Sequence, residues 1–227
     1  EHVRAGHALV QEAGRLADMF GNIGQEGDDV VFDLGFDLIN PGHLEGAFLA
    51  LASFNDDTFL AFLQQQLAEH RISPEMICFE ITETVAIENL DNAVQIINHL
   101  RQLGCQFSLD DFGTGMSSLT YLKTLPVDYV KIDGAFIRNL TTDPVNTAMV
   151  AAIGQICQVM GLKMIAECVE HRKLIAQLWD LGVSYVQGYG IAKPCPLEWV
   201  IGHANDSNHE HKGETSVVPL SIQTQAS

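Results

Sequence analysis

Gln106-Phe107-Ser108-Leu109-Asp110-Asp111-Phe112-Gly113-Thr114-Gly115-Met116-Ser117-Ser118-Leu119 decides the fold. A short apolar run ends on two carboxylates, and a glycine-rich turn follows. Bounded in that way, the run reads as a buried strand of a parallel sheet. The same rhythm continues on both sides. Downstream, a short helix (Leu119, Tyr121, Leu122) leads to the strand Tyr129-Val130-Lys131-Ile132-Asp133. A longer helix carries Val145, Ala148, Met149, Ala152, Ile153, Ile156 and Val159 and stops at Gly161. Lys163-Met164-Ile165-Ala166 is a strand ending on Glu167. His171 to Leu181 is a helix with Leu174, Ile175, Leu178 and Trp179 inward, and Val183-Ser184-Tyr185-Val186 is the last strand, ending on Gln187-Gly188.

Upstream, Met76-Ile77-Cys78-Phe79-Glu80-Ile81 is a strand. The helix after it runs through Ala93, Ile96, Ile97, Leu100 and Leu103 and closes at Gly104, a residue suited to the left-handed backbone that ends helices. Repetition of strand, helix, glycine, strand favours an α/β fold of the TIM-type (β/α) barrel class over an open sheet. One more amphipathic helix precedes these units, Asp57 to His70, with Phe59, Leu60, Phe62, Leu63 and Leu67 apolar and Asp56 or Asp57 as its N-cap. Residues 1–46 follow the pattern less well: His7 to Phe20 has helical period, and Val30-Val31-Phe32 reads as a strand. Residues 204–227 are polar and are expected to form a disordered tail.

Composition narrows the function. The 227 residues suit one large domain or two small ones. No apolar stretch approaches the roughly 18–20 residues of a membrane span. The opening Glu1-His2-Val3-Arg4 lacks a signal-peptide pattern, and a first residue other than Met is expected of a fragment. A net charge of −17 argues against binding a nucleic-acid polymer, whose phosphates are held by clustered Lys and Arg. A small phosphodiester remains compatible, because metal ions can invert the local field. The five cysteines are scattered singly, which suits a reducing cytoplasm. His209 and His211 sit in the polar tail and read as solvated rather than as zinc ligands.

Polar residues collect at the C-terminal ends of the strands. Glu80 and Glu83 follow the first, Asp110 and Asp111 the second, Lys131 and Asp133 the third, Glu167 and Glu170 the fourth, and Gln187 the fifth. In a parallel barrel those ends share one face, where active sites are built. Converging carboxylates repel unless a cation sits between them, and Mg²⁺ or Mn²⁺ with oxygen ligands is the expected answer. Adjacent Asp110 and Asp111 could reach two ions and clamp a phosphoryl group. Each residue alone has a plainer reading: a single Asp after a strand is commonly a helix N-cap, and Glu83 or Glu170 could serve a helix start or a loop. Lys131 differs, since an ammonium in an apolar strand needs acidic partners.

Five segments, taken in order and spacing, resemble the motifs of the EAL-domain family. They are Glu80-Ile81-Thr82-Glu83-Thr84, the run from Asp110 to Leu119, Val130-Lys131-Ile132-Asp133, Ala166-Glu167-Cys168-Val169-Glu170, and Gln187-Gly188-Tyr189. The resemblance covers roughly Ala47 to Val200, and residues 47–203 are read as an EAL-like domain. It implies metal-dependent hydrolysis of cyclic di-GMP to the linear dinucleotide, with in-line attack by water between two metals. It further implies that Glu80 and Asp110 bind one ion and Asp110, Asp111 and Glu167 the other. Lys131 would hold or activate the water, Gln187 and Asp133 would meet substrate, and Glu83 would brace the loop after Asp111. A homodimer through this domain is also an expectation.

Two departures accompany the resemblance. The family's Glu-Ala-Leu strand, counted back, falls before residue 1, and Phe48 stands where the family has an Asn ligand. A barrel incomplete at its N-terminal strands is therefore expected. Segment 1–46 faintly echoes the cyclase domain that often precedes EAL domains, with its signature broken. These departures motivate an alternative: a catalytically impaired module that binds cyclic di-GMP or a protein partner.

Overall fold

A β-strand exposes alternate residues to opposite faces, and that alternation organises the molecule. The computed structural model describes residues 57–113 and 120–191. The expectations for segment 1–46, for Phe48 and for the polar tail lie outside the described residues.

The first helix, α1 (Asp57–His70), is followed by a 3₁₀ turn (Pro74–Met76). Next come β1 (Cys78–Thr82), α2 (Glu83–Glu88), α3 (Leu90–Leu103) and β2 (Gln106–Phe112). A 3₁₀ turn (Tyr121–Lys123) leads to β3 (Tyr129–Ile132), α4 (Gly134–Arg138) and α5 (Pro144–Met160). The last elements are β4 (Lys163–Ala166), a 3₁₀ turn (Arg172–Leu174), α6 (Ile175–Asp180) and β5 (Tyr185–Val186). Among the described residues the sheet has five strands, all parallel and in sequence order, β1 to β5. Each is joined to the next by a helical or 3₁₀ crossover, the repeating unit of a (β/α) barrel.

One sheet face supplies the main core. Phe79, Ile81, Phe107, Leu109, Val130, Ile132, Met164 and Ala166 point under the helices and meet Ile97, Leu100, Val150, Ile153 and Leu178. Complete burial of a side chain such as Phe107 contributes roughly 1.5–3 kcal/mol. The other face holds a small cluster of Cys78, Tyr129 and Ile165 with Tyr185 against it. Glycines close the helices as expected: Gly104 (φ +108°) ends α3 and Gly161 (φ +74°) ends α5.

Several local readings are corrected. Residues 83–88 form a helix, too short to show an apolar period of its own. β2 continues through Asp111 and Phe112 instead of ending at Asp110. The helix read from His171 to Leu181 is a 3₁₀ turn followed by a six-residue α-helix. Leu174 and Leu178 stay buried while Trp179, expected inward, is 46% exposed. Glu170, read as serving a helix start, is exposed, and the residue capping the 3₁₀ turn is His171.

Candidate active site

Glu80, Asp110 and Lys131 come from three different strands and Glu167 directly follows a fourth, yet they meet. Glu80 lies two residues beyond Cys78, Lys131 two beyond Tyr129, and Glu167 two beyond Ile165, so each continues the face of the small inner cluster. The register steps them along the sheet: Glu80 lies opposite Ser108, two residues before Asp110, and Lys131 opposite Ile165, two residues before Glu167, so the lysine stands between the acids near the C-terminal end of the sheet. Lys131 is 2% exposed. Its Nζ stands 2.9 Å from Glu80 Oε2, 3.1 Å from Asp110 Oδ1 and 2.8 Å from Glu167 Oε1.

Charge does not balance there. Burial pushes the Glu80 carboxyl up to about 8; the Lys131 ammonium opposes this, and the charges of Asp110 and Glu167 add to it. Burial also raises Glu167, again against the pull of Lys131. For Lys131 burial alone would lower the value. The carboxylates of Glu80, Asp110 and Glu167 outweigh it and hold the ammonium above its ordinary range. Asp111 is raised by burial, then by Asp110 and Asp133. A cluster with more acid than base invites a proton or a further cation.

Two adjacent strand residues should point to opposite faces, so Asp110 and Asp111 need a device to act together. A bulge provides it. Leu109 pairs with Val130 and Phe112 with Ile132, so β2 spends one residue more than β3 over this stretch. The extra residue is accommodated at Asp111, whose φ of 55° is left-handed, a conformation Asp tolerates better than most residues. Phe112 returns to the core, 1% exposed. Asp110, Asp111 and Glu167 each bring an oxygen within 4.8 Å of the others. Asp110 Oδ1 is buried with no hydrogen-bond partner, because the nearby ammonium is paired with it in charge but not in direction. Oxygen donors at that spacing, one of them unsatisfied, fit a hard divalent cation.

Glu83, 1% exposed, stands at the start of α2 beside the site. Its Oε2 accepts from Gly113 N at 2.9 Å and its Oε1 from the Tyr121 hydroxyl at 2.6 Å. Gly113 has φ +100°, and a Cβ there would lie 2.7 Å from Phe136 Cε2, so the turn after Asp111 needs glycine. Asp133 caps α4, its Oδ1 accepting from Ala135 N at 2.7 Å. Gln187 follows β5 next to Glu167, since Ala166 pairs with Val186, and its Oε1 is buried without a hydrogen-bond partner. Tyr121 escaped notice in the sequence, where it read as one apolar residue of a short helix. A buried tyrosine hydroxyl always raises the question of its partner, and that was the available signal.

The model of the EAL domain family matches residues 41–194. The chain is 47% identical over 134 residues to the cyclic di-GMP phosphodiesterase PdeB of Shewanella oneidensis, covering 59% of this chain and 15% of that protein. It is 37% identical over 157 residues to PdeF of Escherichia coli, also named a cyclic di-GMP phosphodiesterase, covering 69% of this chain and 21% of that one. It thus spans about a fifth of these relatives or less. Among solved structures, the PaMucR phosphodiesterase in complex with c-di-GMP superposes with a TM-score of 0.66 at 30% identity, over 87% of this chain and 74% of that one.

Proposed function

Because this chain belongs to the EAL domain family, we propose that it hydrolyses cyclic di-GMP to the linear dinucleotide with divalent ions held at its strand ends. The observation that carries the reading is the convergence of Asp110, Asp111 and Glu167 oxygens within 4.8 Å. Glu80 and Asp110 would hold one Mg²⁺ or Mn²⁺, and Asp110, Asp111 and Glu167 the other. When bound, such ions supply Lewis-acid stabilisation of phosphoryl oxygens and lower the pKa of water.

The chain's own residues do the rest. Lys131 Nζ, which lies against Glu80 and Glu167 before metal binds, presents its ammonium hydrogens to the attacking water. Gln187 Oε1 offers an acceptor to a hydroxyl or amino group of the dinucleotide. Asp133, at the same end of the sheet, meets substrate while fixing the start of α4. Glu83 braces the turn that carries Asp111. The direct test is incubation with cyclic di-GMP and Mn²⁺ or Mg²⁺, with chromatography of products. Linear dinucleotide that disappears on adding chelator supports the reading. No product from a cooperatively folded chain sinks it.

Phe48, an apolar residue at the expected Asn position, favours a second reading: an impaired module that binds cyclic di-GMP or a protein as a receptor. Calorimetry that detects nucleotide binding without turnover would support it.

Two finer points belong to the same proposal. A homodimer through this domain has a suitable face on α5, which lacks any charged residue in a chain of net charge −17. Val145, Met149 and Val159 are exposed there by 63%, 41% and 88%. Two such acidic chains meet with least repulsion on an uncharged surface. Sedimentation of wild type against Met149→Lys tests it: a dimer that Met149→Lys dissociates supports the point, and a monomeric wild type removes it. A cytoplasmic location suits the free thiols of Cys78, Cys105, Cys157 and Cys168.

A further inference from the structure

Lys131 brings its ammonium within 3.1 Å of carboxylate oxygens of Glu80, Asp110 and Glu167, in a side chain only 3% exposed. Those three acids are the ones that the metal reading above gives to divalent ions. An ammonium and a divalent cation cannot both keep full contact with the same oxygens, because like charges a few ångströms apart in a buried site repel strongly. Nor can the carboxylates stand alone. Stripped of any cation, Glu80, Asp110 and Glu167 would face one another across a space from which water is largely excluded.

The ammonium is an imperfect occupant. Its hydrogens are directional, and Asp110 Oδ1 is left buried without a hydrogen bond although Nζ stands 3.1 Å away. A metal ion attracts every oxygen around it without that restriction. We propose that Lys131 is a built-in counter-cation: it holds the carboxylates together in the metal-free site, gives ground when a divalent ion enters, and thereby sets the metal affinity. This rests on the metal-binding reading.

The test uses the full chain, stripped by chelator and titrated with Mn²⁺ in a calorimeter. Lys131→Gln and Lys131→Met bind Mn²⁺ at least about tenfold more tightly than wild type. Both melt at lower temperature without metal, and Mn²⁺ restores them. Lys131→Arg, which keeps the charge, binds as wild type does. Equal or weaker binding by the Gln and Met variants overturns the inference while leaving the metal reading intact. Absence of Mn²⁺ binding in wild type and variants alike overturns the metal reading, and this inference with it. Should the neutral variants fail to fold, crystal structures of wild type with and without Mn²⁺ decide. Withdrawal of Nζ from at least one of the three acids supports the proposal, and retention of all three contacts beside a bound ion refutes it.

Discussion

Removing the Glu83 carboxylate tests whether the turn after Asp111 is held from below. Glu83 is buried and accepts hydrogen bonds from Gly113 N at 2.9 Å and from the Tyr121 hydroxyl at 2.6 Å, among the described residues. Both are charge-assisted, and such bonds contribute roughly 1.5–3 kcal/mol each. Glu83→Ala strands both donors in a buried place, so a loss of about 3–5 kcal/mol is expected. Tyr121→Phe removes only the shorter bond and should cost about 1.5–3 kcal/mol. Because the two residues touch, the double variant should be less destabilised than the sum, with a coupling of about 1–2 kcal/mol. Glu83→Gln keeps an oxygen for Tyr121 but sets an amide hydrogen or a neutral oxygen before Gly113 N. It should cost less in folding than Glu83→Ala while loosening the bulge that aims Asp111. Urea unfolding of the four proteins gives the stability cycle, and Mn²⁺ calorimetry of Glu83→Gln gives the effect on the site. The reasoning fails if Glu83→Ala changes stability by less than about 0.5 kcal/mol. It also fails if coupling to Tyr121 is nil, or if Glu83→Gln leaves Mn²⁺ affinity unchanged.

Other perturbations probe the neighbouring parts. Glu80 titrates near 8 when folded against an ordinary 4.5. Between those values the folded chain holds a proton that the unfolded chain has released, so metal-free stability should fall as pH rises through this window, at up to about 1.4 kcal/mol per pH unit. Urea midpoints in chelator at pH 5.5 and 8 check the sign, and a midpoint that rises with pH contradicts it. Asp110→Asn should abolish Mn²⁺ binding measured by calorimetry, because both proposed ions share that residue; undiminished affinity would remove Asp110 from the ligand set. Gly188 has φ +148°, and a Cβ there would overlap Val169 N and crowd its carbonyl. Gly188→Ala should therefore lower stability by at least about 2 kcal/mol and displace Gln187, a cost readable in thermal unfolding.

Much of this architecture was legible in the sequence because its signals are local. The strand Lys163–Ala166 and the helix Pro144–Met160 have the bounds their apolar patterns and flanking glycines suggest. The strand ends are marked by abrupt changes from apolar to acidic residues, which is why Glu80, Asp110, Asp111, Lys131 and Glu167 stood out as a set. Local pattern failed where geometry depends on phase or on a neighbour. Trp179 lies about 100° round α6 from the buried Leu178, past the edge of a stripe that one six-residue helix keeps narrow. The helix Glu83–Glu88 was hidden because six residues do not complete two turns.

The sequence by itself determined which chemistry is present: a parallel α/β scaffold with acids and one lysine at its strand ends, since hydrophobic period and residue type are properties of the chain. Only the tertiary structure decided how those groups act on one another. Parallel register brought Lys131 onto Glu80, 51 residues away, and onto Asp110 and Glu167. The bulge between Leu109 and Phe112 turned two consecutive aspartates toward one cluster, which simple alternation along a strand forbids. The physical reason is the same in both cases. Distances between side chains on different strands are set by pairing and backbone twist, and neither is written in any one segment.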